Sequence, residues 1–288
     1  MSRNERRDAL RIREVDAFHS IVPYMMPKRT EAEVSLKEQF DVTDLCSYMK
    51  QRNLEEGTNL KLFHAICTAV ARTIYHRPKL NIFISGRRYW QRKDITLSFV
   101  AKQRFADESE EALMFMKVRP DMTLDSVSHM ILGDVEKVRH AGSNDLDKLM
   151  GFVGKLPRFL LELLFAVIRR LEYHGIVPAA LTAGDPNYSS VLLSNLGSIG
   201  CGAPYHHLSN YGTNSMMITI GTMHPELRLM ADGSQQTRTM VEMTVNLDER
   251  IADGFYFAKS LRLIKYLLEH PQALTETIET PVGDRVAF

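Results

Sequence analysis

The stretch "NLDERIADGF" (Asn246–Phe255) joins two different hydrophobic rhythms. Before it, "RTMVEMTVNL" sets Val241, Met243, Val245 and Leu247 on one side of a period-two pattern, which predicts a strand. After it, Phe257, Leu261, Ile264 and Leu268 recur at helical spacing, which predicts a helix over about 254–269. Asp253 stands where a side-chain oxygen caps free amides at a helix start, and Gly254 lets another backbone approach closely. The pattern DxRxxDG thus falls at a strand-to-helix junction, a common place for a catalytic base. A glutamate, Glu249, occupies the position of interest.

Working outward, "TEAEVSLKEQFDVTDL" reads as a strand running into a helix, with Asp41 or Thr43 as N-cap. "KLFHAICTAVARTIYH" places Leu62, Ile66, Ala69, Val70 and Ile74 on one helical face, flanked by His64 and His76 as structural histidines. "KLNIFISGRRYWQRKDITLSFVAKQ" reads as two strands about a turn at Gly86, and "ALMFMKV" as another strand. Helices are predicted over about 123–139, 145–153 and 157–173, and strands over "SSVLLSN", "SMMITIGTM" and "ELRLM". Strands and helices mix without a strict βαβ rhythm. The expected fold is therefore α+β, a two-layer sandwich in which helices cover a mixed sheet. A loose, solvated basic arm over 1–20, carrying Arg3, Arg6, Arg7, Arg11 and Arg13, is expected to precede a single domain over 21–288.

Composition narrows the function classes. The 288 residues are 44% hydrophobic and 25% charged, with a net charge of +1, so a global attraction to nucleic acid is not supported. Cys46, Cys67 and Cys201 are far apart, which argues against a disulfide framework or a zinc site and suits a reducing cytoplasm. The N-terminal stretch has no apolar region, so no secretory signal is expected. In "LPRFLLELLFAVIRRLEYHG" the apolar run Phe159–Ile168 is interrupted by Glu162. It is too short for the roughly 20 residues of a span. A buried helix is expected there; docking on a membrane surface through 156–170 is the lesser alternative. No GxxxxGK[ST] or GxGxxG loop occurs, which argues against a nucleotide-hydrolysing or dinucleotide enzyme.

Four strings in order, "FDVTDL" (40–45), "RPKLN" (77–81), "LLSNLGSIG" (192–200) and "DERIADG" (248–254), resemble the chloramphenicol acetyltransferase-like fold. The nearer resemblance is to the catalytic domain of 2-oxo acid dehydrogenase dihydrolipoyl acyltransferases, where DVTxL, PxLN, SNLG and DHRxxDG follow one another. The resemblance spans roughly residues 20–271. It implies a homotrimer with active sites in channels between subunits, coenzyme A or an acyl-CoA as substrate, and no metal. It also implies a histidine base in HxxxDG, a serine of SNLG donating to the tetrahedral oxyanion, and an aspartate before the glycine held by an N-terminal arginine. Carried over, Ser194 takes the serine's place and Asp253-Gly254 the DG pair, while the base position falls on Glu249. The lipoyl and subunit-binding domains of multienzyme members have no counterpart in the first 20 residues, so a core role in such a complex is not expected.

Each residue keeps a plainer alternative. Proton transfer from a thiol to an ordinary carboxylate is uphill by about 6 kcal/mol, against about 2.7 for an imidazole. Burial closes that gap by raising a glutamate. Glu249 is thus either a desolvated base or a structural carboxylate paired with Arg250 or another arginine. Asp253 is expected to cap its helix, with Arg29 or Arg13 as partner. Ser194 is an oxyanion donor or a hydroxyl satisfied by backbone. His206 and His207 in "APYHHLSNYGTNS" supply a missing imidazole or only shape the loop. Arg87, Arg88 and Trp90 in "GRRYWQRK" bind the phosphates and adenine of coenzyme A, or form an exposed hairpin. The leading reading is an acyltransferase moving an acyl group from acyl-CoA to a small thiol, amine or hydroxyl. The rival is a trimeric binding or assembly protein that has lost the chemistry.

Overall fold

The computed structural model describes residues 5–102, 111–141, 151, 153–177 and 184–283. Nine strands are described: β1 (Ala9–Arg11), β2 (Glu33–Asp41), β3 (Ile82–Ser85), β4 (Arg88–Arg92), β5 (Ile95–Lys102), β6 (Glu111–Val118), β7 (Val191–Asn195), β8 (Met216–Leu229) and β9 (Gln235–Asp248). With them run helices α1 (Ala17–Met25), α2 (Thr43–Glu55), α3 (Leu62–His76), α4 (Leu124–Ala141), α5 (Arg158–Tyr173) and α6 (Gly254–Glu269). The main sheet has the order β2-β9-β8-β7-β5-β6, and a small sheet has β1-β4-β3. β7 runs parallel to both β5 and β8 while the other pairs are antiparallel, so the sheet is mixed, as expected.

One row of side chains explains the layering. Leu36, Val245, Ile218, Leu193, Phe99 and Met114 are register partners across all six strands. Five of them belong to the main core and Leu36 packs against it, under α3 and α6. Because strand side chains alternate, the next row, Lys37–Thr244–Thr219–Ser194, points to the opposite face. Ser194 therefore lies on the side of the sheet away from the helices.

Several expectations change. Helix α3 is buried nearly all round rather than on one face. Its His64 is enclosed, with Nδ1 2.8 Å from the Ser128 hydroxyl. Burial pushes the His64 imidazole down to about 4. A native state that holds this ring neutral gains stability fully present above about 6.5, the ordinary value. That stability is lost as pH falls towards 4. His64→Gln should flatten the acid limb of urea-unfolding stability between pH 6.5 and 4; an unchanged slope would contradict this account.

The basic arm is anchored. β1 pairs with β4, and Arg6 is fully buried, bonded to Asp8 at 2.9 Å and lying over the rings of Phe83 and Trp90. The two strands predicted over 215–230 are one, β8, because Pro225 sits beyond Ile220, where β8 no longer pairs with β7 and needs no second ladder. After an irregularity between Ile220 and Met223, β8 and β9 stay paired, and beyond Met240, where β2 ends, they continue as a two-stranded ribbon. One side of this part of β8 leaves Met223, Leu227 and Leu229 exposed. Helix α5, expected to be buried, has only Ile168 and Glu172 covered. The helix predicted over 145–153 lies outside the described residues except at 151 and 153.

Candidate active site

The junction after β9 is built around a buried ion pair. Arg250 donates to both carboxylate oxygens of Asp248, at 2.7 and 2.6 Å, and to the carbonyl of Met26 at 2.7 Å. Asp248 is 0% and Arg250 3% exposed. Arg250 is therefore not the partner of Glu249, which corrects one of the two alternatives for that residue. The Glu249 amide donates to the Ala32 carbonyl at 2.8 Å, which ties the turn to the segment entering β2. Its side chain is exposed, and its carboxylate has no hydrogen-bond or ion-pair partner among the described residues.

Asp253 caps α6 as expected, accepting from the Tyr256 amide at 2.8 Å. Neither arginine proposed for it arrives. Arg13 is exposed, and Arg29 turns away to donate to the carbonyls of Ser209 and Gly212. Burial pulls the Arg29 guanidinium below the usual arginine range, with the Asp248 charge opposing the shift. Sequence reasoning placed Arg29 in the right neighbourhood with the wrong partner.

Glu249 opens on a cleft of about 500 Å³ between edge strand β2 and α6. Val34, Leu36, Phe40, Phe257 and Leu261 form its apolar walls. Glu249, Asp253 and Gly254 stand at the start of α6, and Arg262 and Lys265 lie further along the same helix. At about 1.5 Å per residue the two ends are roughly 16 Å apart. Glu38 and Gln39 of β2 also line the cleft, so the far end carries charge of both signs about an apolar middle.

Ser194 is half-buried on β7, and its hydroxyl has no hydrogen-bond partner among the described residues. Its strand neighbour Thr219 is fully buried with an unpartnered hydroxyl as well. The turn after Ser194 is fixed by Gly197: a Cβ there would fall within contact distance of the Gly221 carbonyl. Ser194 and Glu249 do not meet within one protomer. Two strand spacings separate them laterally and Thr244 and Glu249 are five positions apart along the chain, so their separation is roughly 15–20 Å. They also open on different faces.

His206 and His207 are stacked, with ring centroids 5.0 Å apart, and both are exposed. The His207 amide donates to Nδ1 of His206 at 2.9 Å. Asn246, which sequence reasoning passed over, holds this loop: its Nδ2 donates to Glu33, Ser35 and the His206 carbonyl at 2.6, 2.6 and 2.7 Å. In the sequence it alternates onto the same side as Glu242 and Thr244, so the pattern does not set it apart. The loop lies on the outer face with Ser194, away from the Glu249 cleft.

Arg87, Arg88 and Trp90 belong to the β3–β4 hairpin. Gly86 and Arg87 both have φ of 59°, the left-handed turn geometry that suits a two-residue hairpin. Arg87 stacks over Tyr24 at 4.7 Å and Arg88 is half-buried. Trp90 is 2% exposed and donates to the Ser85 carbonyl at 3.0 Å. Its covered ring offers no open face on which an adenine could stack. Among the described residues no group of three or more His, Cys, Asp or Glu side chains is arranged to hold a metal ion.

Comparison with known proteins bears on this geometry. Residues 178–276 match the family model of the 2-oxoacid dehydrogenases acyltransferase (catalytic domain). The chain is 23% identical over 249 residues to the lipoamide acyltransferase component of the branched-chain alpha-keto acid dehydrogenase complex of Bacillus subtilis (strain 168), covering 84% of this chain and 48% of that protein. It thus spans about half the length of the curated relative it matches. Among solved structures it resembles dihydrolipoamide acetyltransferase of Azotobacter vinelandii, with a TM-score of 0.60, 15% identity, and 91% and 93% of the two chains covered. That protein was investigated for the roles of a serine, a histidine and an asparagine in its mechanism, the last two four positions apart. A chloramphenicol acetyltransferase also matches, with a TM-score of 0.53 at 11% identity, covering 90% of this chain and 99% of that one.

Proposed function

We propose, for a chain that has the chloramphenicol acetyltransferase-like fold and resembles the catalytic domain of 2-oxo acid dehydrogenase acyltransferases, that it transfers an acyl group from an acyl-CoA to a small acceptor. The acceptor is a thiol, amine or hydroxyl, and the site forms between protomers of a homotrimer. The observation that carries this reading is the separation of two unpartnered groups, Ser194 and Glu249, on different faces of one protomer. Both must lie within about 3 Å of the reacting atoms to act together, and only a second copy brings them there. The exposed apolar side of the β8–β9 ribbon supports assembly, since such a surface usually marks a contact.

In this reading the acceptor X–H attacks the thioester carbonyl as its proton passes to the Glu249 carboxylate. The Ser194 hydroxyl donates to the oxyanion of the tetrahedral intermediate. Collapse breaks the C–S bond and expels coenzyme A, whose sulfur takes the proton back from Glu249. Docking of the second protomer supplies the desolvation that makes a glutamate a competent base. The four-residue interval between Glu249 and Asp253 parallels that between the histidine and asparagine studied in the Azotobacter protein, which supports the assignment of position. Arg262 and Lys265, at the far end of the cleft, are placed for the phosphates of the donor.

A second reading is favoured by one observation: Glu249 is exposed in the protomer, without the burial a carboxylate base needs. The protein then binds acyl-CoA or assembles without turning it over. Thiol release from acetyl-CoA with a panel of acceptors separates the two. Turnover by the unmodified chain supports the enzyme. No release by it, together with release by Glu249→His, supports the inactive reading.

A further inference from the structure

Helix α5 packs on the body through Phe165, Ile168 and Glu172, with the Phe165 ring 5.6 Å from Tyr211. Helical spacing puts Phe159, Leu163, Val167 and Arg170 on the opposite side. There Phe159, Leu163 and Val167 are 67%, 59% and 45% exposed. Arg169 and Arg170 are exposed and have no ion-pair partner among the described residues, whereas Glu162 is bridged to Arg158 at 3.1 Å. The outward side is therefore apolar, ends in uncompensated positive charge, and carries no free carboxylate. Among the described residues no helix is long and apolar enough to cross a membrane.

We propose that this outward face of α5 docks on the surface of an anionic phospholipid bilayer. The apolar stripe ends in two arginines that no carboxylate among the described residues neutralises, so the face is complementary to a surface that is both apolar and anionic. A second copy pressed on this stripe would have to enclose Arg170. At a bilayer surface the apolar side chains enter the headgroup boundary, while Arg169 and Arg170 reach to lipid phosphates by snorkelling.

Co-sedimentation of the full chain with phosphatidylcholine vesicles, and with vesicles that also contain phosphatidylglycerol, tests this. The chain should pellet with the anionic vesicles and remain largely in solution with the neutral ones. Leu163→Asp and Arg169→Glu/Arg170→Glu should each weaken pelleting by about ten-fold or more. Leu54→Asp, at a site 77% exposed on α2, should leave it unchanged, and circular dichroism and melting confirm that all variants are folded. The proposal is overturned if the chain stays in solution with both vesicles, or pellets equally with both. It is also overturned if Leu163→Asp pellets like the parent, or if that change dissolves an oligomer in ultracentrifugation while neither protein binds lipid.

Discussion

Glu249→Gln is expected to lower acyl-transfer kcat by about 100-fold or more while leaving the melting temperature within a degree or two, because general-base catalysis is typically worth about 10²–10⁴ in rate. Glutamine keeps the shape of the side chain and removes its ability to accept a proton. The carboxylate has no partner in the protomer, so little stability rests on it. The separation of rate from stability is what distinguishes a base from a structural carboxylate. Glu249→His should retain turnover, since an imidazole accepts a thiol proton with less cost than an unburied carboxylate. Equal rates for Glu249→Gln and the parent in steady-state assays would remove Glu249 from the chemistry.

Asp248→Ala should have the opposite profile, a large loss of stability. It leaves the Arg250 guanidinium, 3% exposed, without its carboxylate partner. Removing one member of a buried pair costs about 3–5 kcal/mol, because the remaining charge stays desolvated. For a domain of this size that corresponds to a fall in Tm of roughly 10 °C. Asp248→Leu/Arg250→Met should recover part of the loss, since no unpaired charge is then buried. Thermal and urea unfolding of the three proteins measure this. A single Asp248→Ala variant that melts with the parent would show that the pair is not holding the turn that carries Glu249.

Much of the fold was legible because its elements obey one period at a time. β9 alternates, α6 repeats at 3.6, and Asp253 caps where its side chain reaches a free amide. The N-terminal arm was misread because charge suggests solvent, whereas Arg6 is enclosed by its own carboxylate partner and two aromatic rings. A sequence does not display cation–π stacking. Trp90 was misread for a related reason: its basic neighbours suggested a ligand surface, but the hairpin turns the ring inward against Phe83 and Ala9. The Asp248–Arg250 pair was hidden because Arg250 lies in the turn after β9, where no strand or helix period places its side chain. Helix α5 was expected to be covered because apolar residues usually are; period alone does not say whether a neighbour is present to cover them.

The role of Ser194 and Glu249 as halves of one site is tested most directly by complementation. Ser194→Ala and Glu249→Gln, each inactive alone, are co-expressed in equal amounts and assayed as a mixture for thiol release from acetyl-CoA. If each site draws its serine and its glutamate from different protomers, random assembly restores about one quarter of the parental activity. A mixture no more active than either variant alone would contradict the account, because it would place both groups on the same chain.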